Sequence, residues 1–357
     1  MENKAKRILI IKPSSLGDIV HALPAARLIV RHMPDVVIDW VVTPAFAELV
    51  DYCPNLGRKI IFHRREMGKV KSFLPVFWRF LHDLRQEKYD AVLDLQGLLR
   101  SAIFTFLSRS SVTYGPAQSR EFGMSLGYNR HIAIPPDTTH AIERNLTFVA
   151  KAFGWDDRTL DFLPLPKKED AAQSARSLLN LCGAKENDKL FGIIPGANWA
   201  SKCWPAEFFA EYIQTMASLR PAWKFVFFGT AKELPSIVEI IQKSGLPVER
   251  SLSLAGKTGV AELAEALRLM CGVCGGDTGA IHLAAAVGTP TISLYGPTRP
   301  ELTGVLAPNN LTLQPKLNCT GCLKRVCPLP ENLCFTGIDP VTTAQKSVEL
   351  CEKVSRR

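Results

Sequence analysis

Two rhythms of apolar residues alternate along the first half of the chain. Arg7–Lys12 is a short apolar run of strand type, and Asp18–Arg31 follows with Ile19, Leu23, Ala26 and Val30 at helical spacing. Ile38–Val42 predicts a second strand and Ala91–Leu95 a later one. Short apolar strands separated by amphipathic helices predict a parallel sheet with helical crossovers. The second half repeats the pattern. Strands are predicted at Leu190–Ile194, Lys224–Phe228, Gly272–Gly275 and Pro290–Tyr295, and helices at Ala206–Met216, Val260–Met270 and Ala280–Val287. Between the halves lies a polar stretch, Pro164–Asp170, which reads as a linker. The expectation is an α/β protein of two doubly wound domains, residues 1–168 and 169–357, facing each other across a central cleft. Ligands of such sheets bind outside the carboxyl ends of the strands, so the loops that leave strands are where chemistry is sought.

Composition narrows the class. A chain of 357 residues, 46% hydrophobic and 22% charged, suits two folded domains. No stretch reaches the roughly eighteen apolar residues that a spanning helix needs. The charged segment Met1–Arg7 lacks the apolar stretch and cleavage site of a signal peptide, so a cytosolic chain is expected. Its ten cysteines are then thiols or metal ligands rather than a disulfide framework. The net charge of +9 leans to the first half, where residues 1–180 hold 25 basic against 19 acidic side chains. Such a balance serves solubility, or it favours an anionic partner such as nucleic acid, phospholipid or phosphorylated glycolipid. Nothing resembles a nucleic-acid-binding module or an aromatic–basic signature, so no nucleic acid is expected as partner.

Three strand-to-helix loops carry candidate chemistry. The first is Lys12-Pro13-Ser14-Ser15-Leu16-Gly17-Asp18, where Gly17 permits a tight turn and Asp18 stands near a helix N-terminus. Asp18 is either a first-turn acid or a carboxylate base at the cleft. The second runs from Pro195 to Pro205 and places Lys202 just before a helix, where a point charge and free backbone donors suit a phosphate. The third is Gly275-Gly276-Asp277-Thr278-Gly279-Ala280-Ile281-His282. There Gly279, Thr278 and the nearby N–H groups can hold a pyrophosphate, and Asp277 can accept from sugar hydroxyls. His282 is a site residue or a buried brace for that loop. The dinucleotide fingerprint of glycines is missing here and at the first strand, which counts against a standard nicotinamide enzyme.

Two further features stand apart. Arg58, Lys59, Arg64, Arg65, Lys69 and Lys71 precede Phe73, Phe77, Trp78 and Phe80. This stretch reads as a solvated loop before a core helix, or as a segment beside the acceptor site that rests on anionic membrane. Near the C-terminus, Cys319, Cys322, Cys327 and Cys334 lie close in sequence in a loop with little apolar content of its own. They read as a structural zinc site, as packed free thiols, or as an air-formed disulfide. Cys271 and Cys274 read as small core residues.

In order along the chain, these motifs resemble glycosyltransferase family 9, the ADP-heptose:lipopolysaccharide heptosyltransferases. Ser14 to Pro24, Asp94 to Ser101, Ser119-Arg120-Glu121, Asp277-Thr278-Gly279 with His282, and Ser293 to Thr298 carry the resemblance. The first and last look most like the heptosyltransferase I branch, whereas the cysteine cluster fits that branch less well. The resemblance implies a GT-B fold of two Rossmann-like domains. It implies inverting, metal-independent transfer of heptose from ADP-heptose to the Kdo sugar of Kdo-lipid A, with no cofactor required. It implies a location at the cytoplasmic face of the inner membrane. Asp18 would be the base, and Ser15, Gly17, Arg100 and Arg120 would meet the anionic acceptor. Ser201, Lys202, Glu233, Asp277, Thr278, Gly279 and His282 would form the donor site, with Lys202 against the diphosphate and Glu233 at the ribose. Heptosyltransferase II, a family member using another ADP-sugar, and a GT-B-like sugar-nucleotide epimerase are the alternatives.

Overall fold

The computed structural model describes residues 6–118, 121–134, 139–329 and 333–356. The chain divides into two compact units between Asp161 and Phe162. The first unit is built on β1 (Arg7–Ile11), β2 (Val37–Val42), β3 (Leu56–Ile61), β4 (Ala91–Asp94), β5 (Thr113–Pro116) and β6 (Arg130–Ile132). They form one sheet in the order β3-β2-β1-β4-β5-β6 with every pair parallel. The central strands are buried almost throughout, which is why they read as unbroken apolar runs. Asp39 on β2 and Asp94 at the end of β4 are buried among them. Asp39 on β2 is held by Arg7 at 2.9 Å, by the Tyr89 hydroxyl at 3.1 Å and by the Arg58 N–H at 2.9 Å. A buried carboxylate is tolerable only with such a full set of donors.

The second unit repeats the topology with β7 (Lys189–Ile194), β8 (Trp223–Phe227), β9 (Ser251–Ser253), β10 (Gly272–Gly276), β11 (Thr291–Leu294) and β12 (Asn310–Leu313). Their order is β12-β11-β10-β7-β8-β9, again all parallel. Phe191, Phe225, Phe227 and Tyr212 fill its core, and the C-terminal helix Pro340–Ser355 closes it with Val348 and Cys351. The Tyr212 hydroxyl donates to Ser347 of that helix at 2.9 Å. In both units the strand order reverses between the first and fourth strand, leaving a crevice at the carboxyl ends of β1 and β4 and another at those of β7 and β10.

Three expectations change. The helix read over Asp18–Arg31 is two helices, Leu16–Val20 and Leu23–His32. Pro24 has no N–H to give the Val20 carbonyl, so the first helix ends after one turn and a second begins. The stretch read as a linker belongs to the second unit. Leu165 is buried, its N–H donates to the Ala286 carbonyl at 2.8 Å, and Arg268 donates to its carbonyl at 2.9 Å. Only the outward charges of that stretch gave it a linker's composition. Finally, Arg58 and Lys59 lie in β3, an edge strand, rather than in a loop. Lys59 pairs with Asp51 at 2.7 Å, and charged residues are usual on such edges.

Candidate active site

The loop leaving β1 brings Asp18 to the crevice of the first unit. Ser15 caps the helix Leu16–Val20, and Asp18 is its third residue. The Ser15 N–H and hydroxyl donate to one Asp18 oxygen, Oδ2, at 2.9 and 2.8 Å. This capping box fixes the carboxylate while Asp18 still lines a cavity of 590 Å³. Lys12, His21, Gln96, Gln118 and Arg144 share that cavity. The Lys12 ammonium reaches in from the end of β1 and donates to the Leu95 carbonyl at 2.8 Å. Arg144 comes from the helix Ala141–Phe153, and the neighbouring Asn145 donates to the His21 carbonyl at 2.9 Å.

A second carboxylate, Asp94, lines the same cavity from the end of β4. It accepts from the Tyr128 hydroxyl at 2.7 Å, from the Gln96 N–H at 2.9 Å and from the Gly97 N–H at 3.0 Å. Burial pushes its pKa up, against the pull of these donors. Its oxygens are occupied in shaping the turn, whereas the Ser15 donors engage only Oδ2 of Asp18. Gln96 differs from both, because its side-chain oxygen is buried without a hydrogen-bond partner. A buried acceptor left unpaired costs about 1–3 kcal/mol and marks a place where a donor is missing. Gln96→Leu is expected to leave the unliganded protein as stable as the wild type or more so. It is also expected to raise the acceptor KM about 3–10-fold, the worth of one neutral hydrogen bond. An unchanged KM would make Gln96 a structural residue only.

In the second unit the loop after β7 crosses the end of β10. A Cβ on Gly276 would lie 2.6 Å from the Lys202 carbonyl, so only glycine allows the crossing. Lys202 thereby reaches Asp277, with its ammonium 2.7 Å from Oδ2. His282 Nε2 stands 3.1 Å from the other oxygen, Oδ1. Burial acts to raise the Asp277 pKa, but His282 and Lys202 outweigh it and hold the carboxyl well below the usual carboxylate range. A depressed carboxylate pKa contributes stability that is present above about pH 4 and lost only as pH falls through the folded value. Thr278 caps the helix Gly279–Ala286 and accepts from the Ala280 N–H. This helix starts at the carboxyl end of β10, and a helix N-terminus so placed suits a phosphate.

Other expected donor residues are placed as follows. Glu233 lies past β8, where Oε2 accepts from the Thr230 hydroxyl at 2.9 Å. Its other oxygen lies over Gly196, so close that a Cβ there would meet it at 1.7 Å. The fold therefore brings Glu233 to the same loop as Lys202. Ser201 is buried and donates to the Lys324 carbonyl at 2.7 Å, which ties two loops together. Trp199 carries two cations on its ring, Lys202 at 4.6 Å and Arg325 at 5.5 Å. Arg325 was not singled out from the sequence, although it lies between Cys322 and Cys327, because only the thiols of that loop carried a pattern.

The acceptor residues expected in the first unit divide differently. Ser15 and Gly17 build the turn that carries Asp18 and do not line the cavity. Arg100 lies over the Phe62 ring at 5.6 Å, because it sits in the first turn of the helix Leu99–Leu107 and follows that helix onto the apolar face. Arg120 lies outside the described residues. The cavity's cations are instead Lys12 and Arg144. The signals for them were the end of an apolar strand and the periodic Ile142, Leu146 and Val149.

The four C-terminal cysteines lie close enough that Cys327, Cys319 and Cys322 act on the charge of Cys334. Among the described residues no group of three or more His, Cys, Asp or Glu is arranged to hold a metal ion, and no cysteine is in a disulfide. Cys334 is drawn into the hydrophobic core, whereas Cys319 and Cys322 face solvent. Burial pushes the Cys334 thiol up to about 11, with the neighbouring Cys327, Cys319 and Cys322 adding to the rise. An aromatic disulfide reagent added to the native protein is expected to titrate Cys319 and Cys322 rapidly and to spare Cys334, Cys274 and Cys351. Elemental analysis showing one equivalent of zinc or iron, with all four thiols protected, would reverse this reading.

The family model for glycosyltransferase family 9 (heptosyltransferase) matches residues 77–332. Lipopolysaccharide heptosyltransferase 1 of Pseudomonas aeruginosa is 31% identical over 360 aligned positions, covering 95% of this chain and 96% of its own. Two solved structures of E. coli heptosyltransferase WaaC superpose on this fold. The one with ADP is 27% identical with a TM-score of 0.75, and the one with ADP-2-deoxy-2-fluoro heptose is 26% identical with a TM-score of 0.72. Each covers 96% of this chain and 99% of the other. The chain belongs to glycosyltransferase family 9, the heptosyltransferases. It is a transferase enzyme, and its pair of parallel six-stranded sheets is the α/β fold of GT-B type that those relatives share.

Proposed function

We propose that this enzyme transfers heptose from ADP-heptose to the Kdo sugar of the lipopolysaccharide inner core. The observation that carries this reading is the position of Asp18 in a cavity with two cations, Lys12 and Arg144. A carboxylate beside cationic side chains suits an acceptor that is both a sugar alcohol and an anion. The ADP-bound relatives support an adenine-nucleotide donor, and the relatives named heptosyltransferase 1 support the first heptose of the core.

In this mechanism Asp18 takes the proton of the attacking Kdo hydroxyl. The hydroxyl oxygen forms a bond to the anomeric carbon of heptose from the face opposite the diphosphate. The bond from that carbon to phosphate oxygen breaks, the anomeric configuration inverts, and ADP departs. Lys202 and the N–H groups at the start of Gly279–Ala286 stabilise the negative charge on the leaving diphosphate. Asp277 accepts from heptose hydroxyls, Glu233 from the ribose, and His282 holds Asp277 in place. With charge stabilisation supplied by these groups, transfer is expected to continue in the presence of a chelator. The acceptor places the enzyme at the cytoplasmic face of the inner membrane, as a peripheral protein. No helix among the described residues is long and apolar enough to cross a membrane.

The test is incubation with ADP-heptose and Kdo2-lipid A, followed by mass spectrometry of the lipid. One heptose increment is expected. An increment that appears only on an acceptor already carrying one heptose would assign the second transfer instead. Release of a free sugar with no lipid product would point away from transfer altogether.

A further inference from the structure

We propose that the first unit docks on an anionic phospholipid bilayer through a single face. That face is built by the N-terminal half of helix Val70–Leu84, the helix Leu99–Leu107 and the turn Met124–Gly127. The proposal rests on the membrane-borne acceptor argued above and goes further, by naming the surface and the lipid chemistry.

Exposed apolar side chains are segregated in this unit. Every large hydrophobic residue exposed among its described residues lies between Val70 and Leu126. Val70 is 95% exposed, Leu74 and Trp78 62%, Phe106 71% and Leu126 82%, and Phe122 is fully exposed. Scattered single residues of this kind are ordinary on a protein surface, but a set confined to adjoining elements is not. These elements adjoin. Phe80 and Phe104 meet beneath the two helices with ring centroids 4.6 Å apart, and Met124 packs on Ala102.

The first helix shows how the face arises. Val70, Phe73, Leu74, Phe77, Phe80, Leu81 and Leu84 form one stripe at helical spacing. Its C-terminal members Phe80, Leu81 and Leu84 are buried in the unit's core. Over the first two turns the same stripe runs past the core, and Val70, Phe73 and Leu74 are left in solvent. An amphipathic helix that keeps its apolar stripe beyond its own core has a second apolar medium to meet.

Charge selects that medium. From His63 to Phe80 the chain carries Arg64, Arg65, Lys69, Lys71 and Arg79 against one acid, Glu66. All five basic residues are exposed. Arg58 and Lys59, which precede them, are bound within the unit to Asp83 and Asp51 and take no part. A second copy of the chain would bring the same positive face against itself. An anionic headgroup layer complements it, with Trp78 at the interface and Phe106 and Leu74 below the headgroups.

Flotation of the full chain with vesicles tests the proposal. Binding is expected to vesicles containing phosphatidylglycerol, to weaken as salt is raised, and to be much weaker with pure phosphatidylcholine. The triple variant Leu74→Ser, Trp78→Ser, Phe106→Ser is expected to bind phosphatidylglycerol vesicles at least about tenfold more weakly. Lys69→Glu with Lys71→Glu disturbs no buried group and serves where the triple variant folds poorly. It too is expected to lose at least about tenfold. Both should keep wild-type affinity for ADP. Binding by both variants equal to wild type, or equal binding to neutral vesicles, overturns the proposal. So does a dimer that the triple variant dissociates while vesicle binding is unchanged. Transfer to a water-soluble Kdo acceptor without acyl chains is the separate check on the catalytic reading. Its failure alongside normal vesicle binding would reject that reading and leave the docking face standing.

Discussion

Asp18→Asn is expected to lose about 10²–10⁴-fold in kcat while retaining affinity for ADP and a native fold. The structure sharpens this expectation, because Asp18 has two duties. One oxygen accepts from the Ser15 N–H and hydroxyl and so caps the helix Leu16–Val20. An asparagine carbonyl can still accept those bonds, so the cap survives and only the base is removed. Loss of a first-turn negative charge costs about 0.3–1 kcal/mol of stability, too little to unfold the unit. Ser15→Ala is the complement. It weakens the cap by about 0.5–2 kcal/mol and leaves the carboxylate. Its kcat is expected to stay within about tenfold of wild type, because Asp18 is merely held less firmly. Steady-state assays of both variants separate the duties. Should Asp18→Asn keep kcat within a few-fold of wild type while Ser15→Ala falls further, Asp18 is a cap and the base must be sought elsewhere in the cavity.

Lys202→Ala is expected to weaken ADP binding by about 10–100-fold, equivalent to about 1.5–3 kcal/mol for a charge-assisted contact. The loss has two sources. A cation facing the diphosphate disappears, and Asp277, 2.7 Å from that cation, keeps a negative charge near the place where phosphate must sit. Asp277 is also buried, so the variant is expected to melt at lower temperature than wild type. His282, 3.1 Å from the other Asp277 oxygen, remains as its partner in the variant. Titration calorimetry with ADP reads the first effect and thermal denaturation the second. Unchanged ADP affinity alongside a lowered melting temperature would make Lys202 a partner of Asp277 and nothing more.

Much of the fold was legible because buried parallel strands carry their signal locally. β1, β2, β4, β7, β8, β10 and β11 are apolar runs bounded by glycine, proline or charge, and each lies within a residue or two of its predicted span. β3, β5, β6, β9 and β12 were not read. Edge strand β3 has its apolar run interrupted by Arg58 and Lys59, and β9 and β6 have only three residues each. Their assignment depends on a neighbour that supplies the hydrogen bonds. The break in the helix after Val20 was written in Pro24, yet the apolar spacing on both sides concealed it.

By itself the sequence determined which loops leave which strands. It therefore placed Asp18, Lys202, Asp277 and Thr278 at the carboxyl edges of two sheets, since a strand–loop–helix order depends only on local pattern. What faces those residues was decided by tertiary structure alone. Arg144 shares a cavity with Lys12 and Asp18 although it stands far from both in sequence. Glu233 lies over Gly196 because β7 and β8 are neighbours in the sheet. Arg100 lies on Phe62 and does not line the cavity of Asp18, and Cys334 is buried in the core while Cys319 and Cys322 stay exposed. Each of these outcomes depends on which face of a helix or strand is buried, and burial is settled by long-range packing rather than by the residue's own neighbours in the chain.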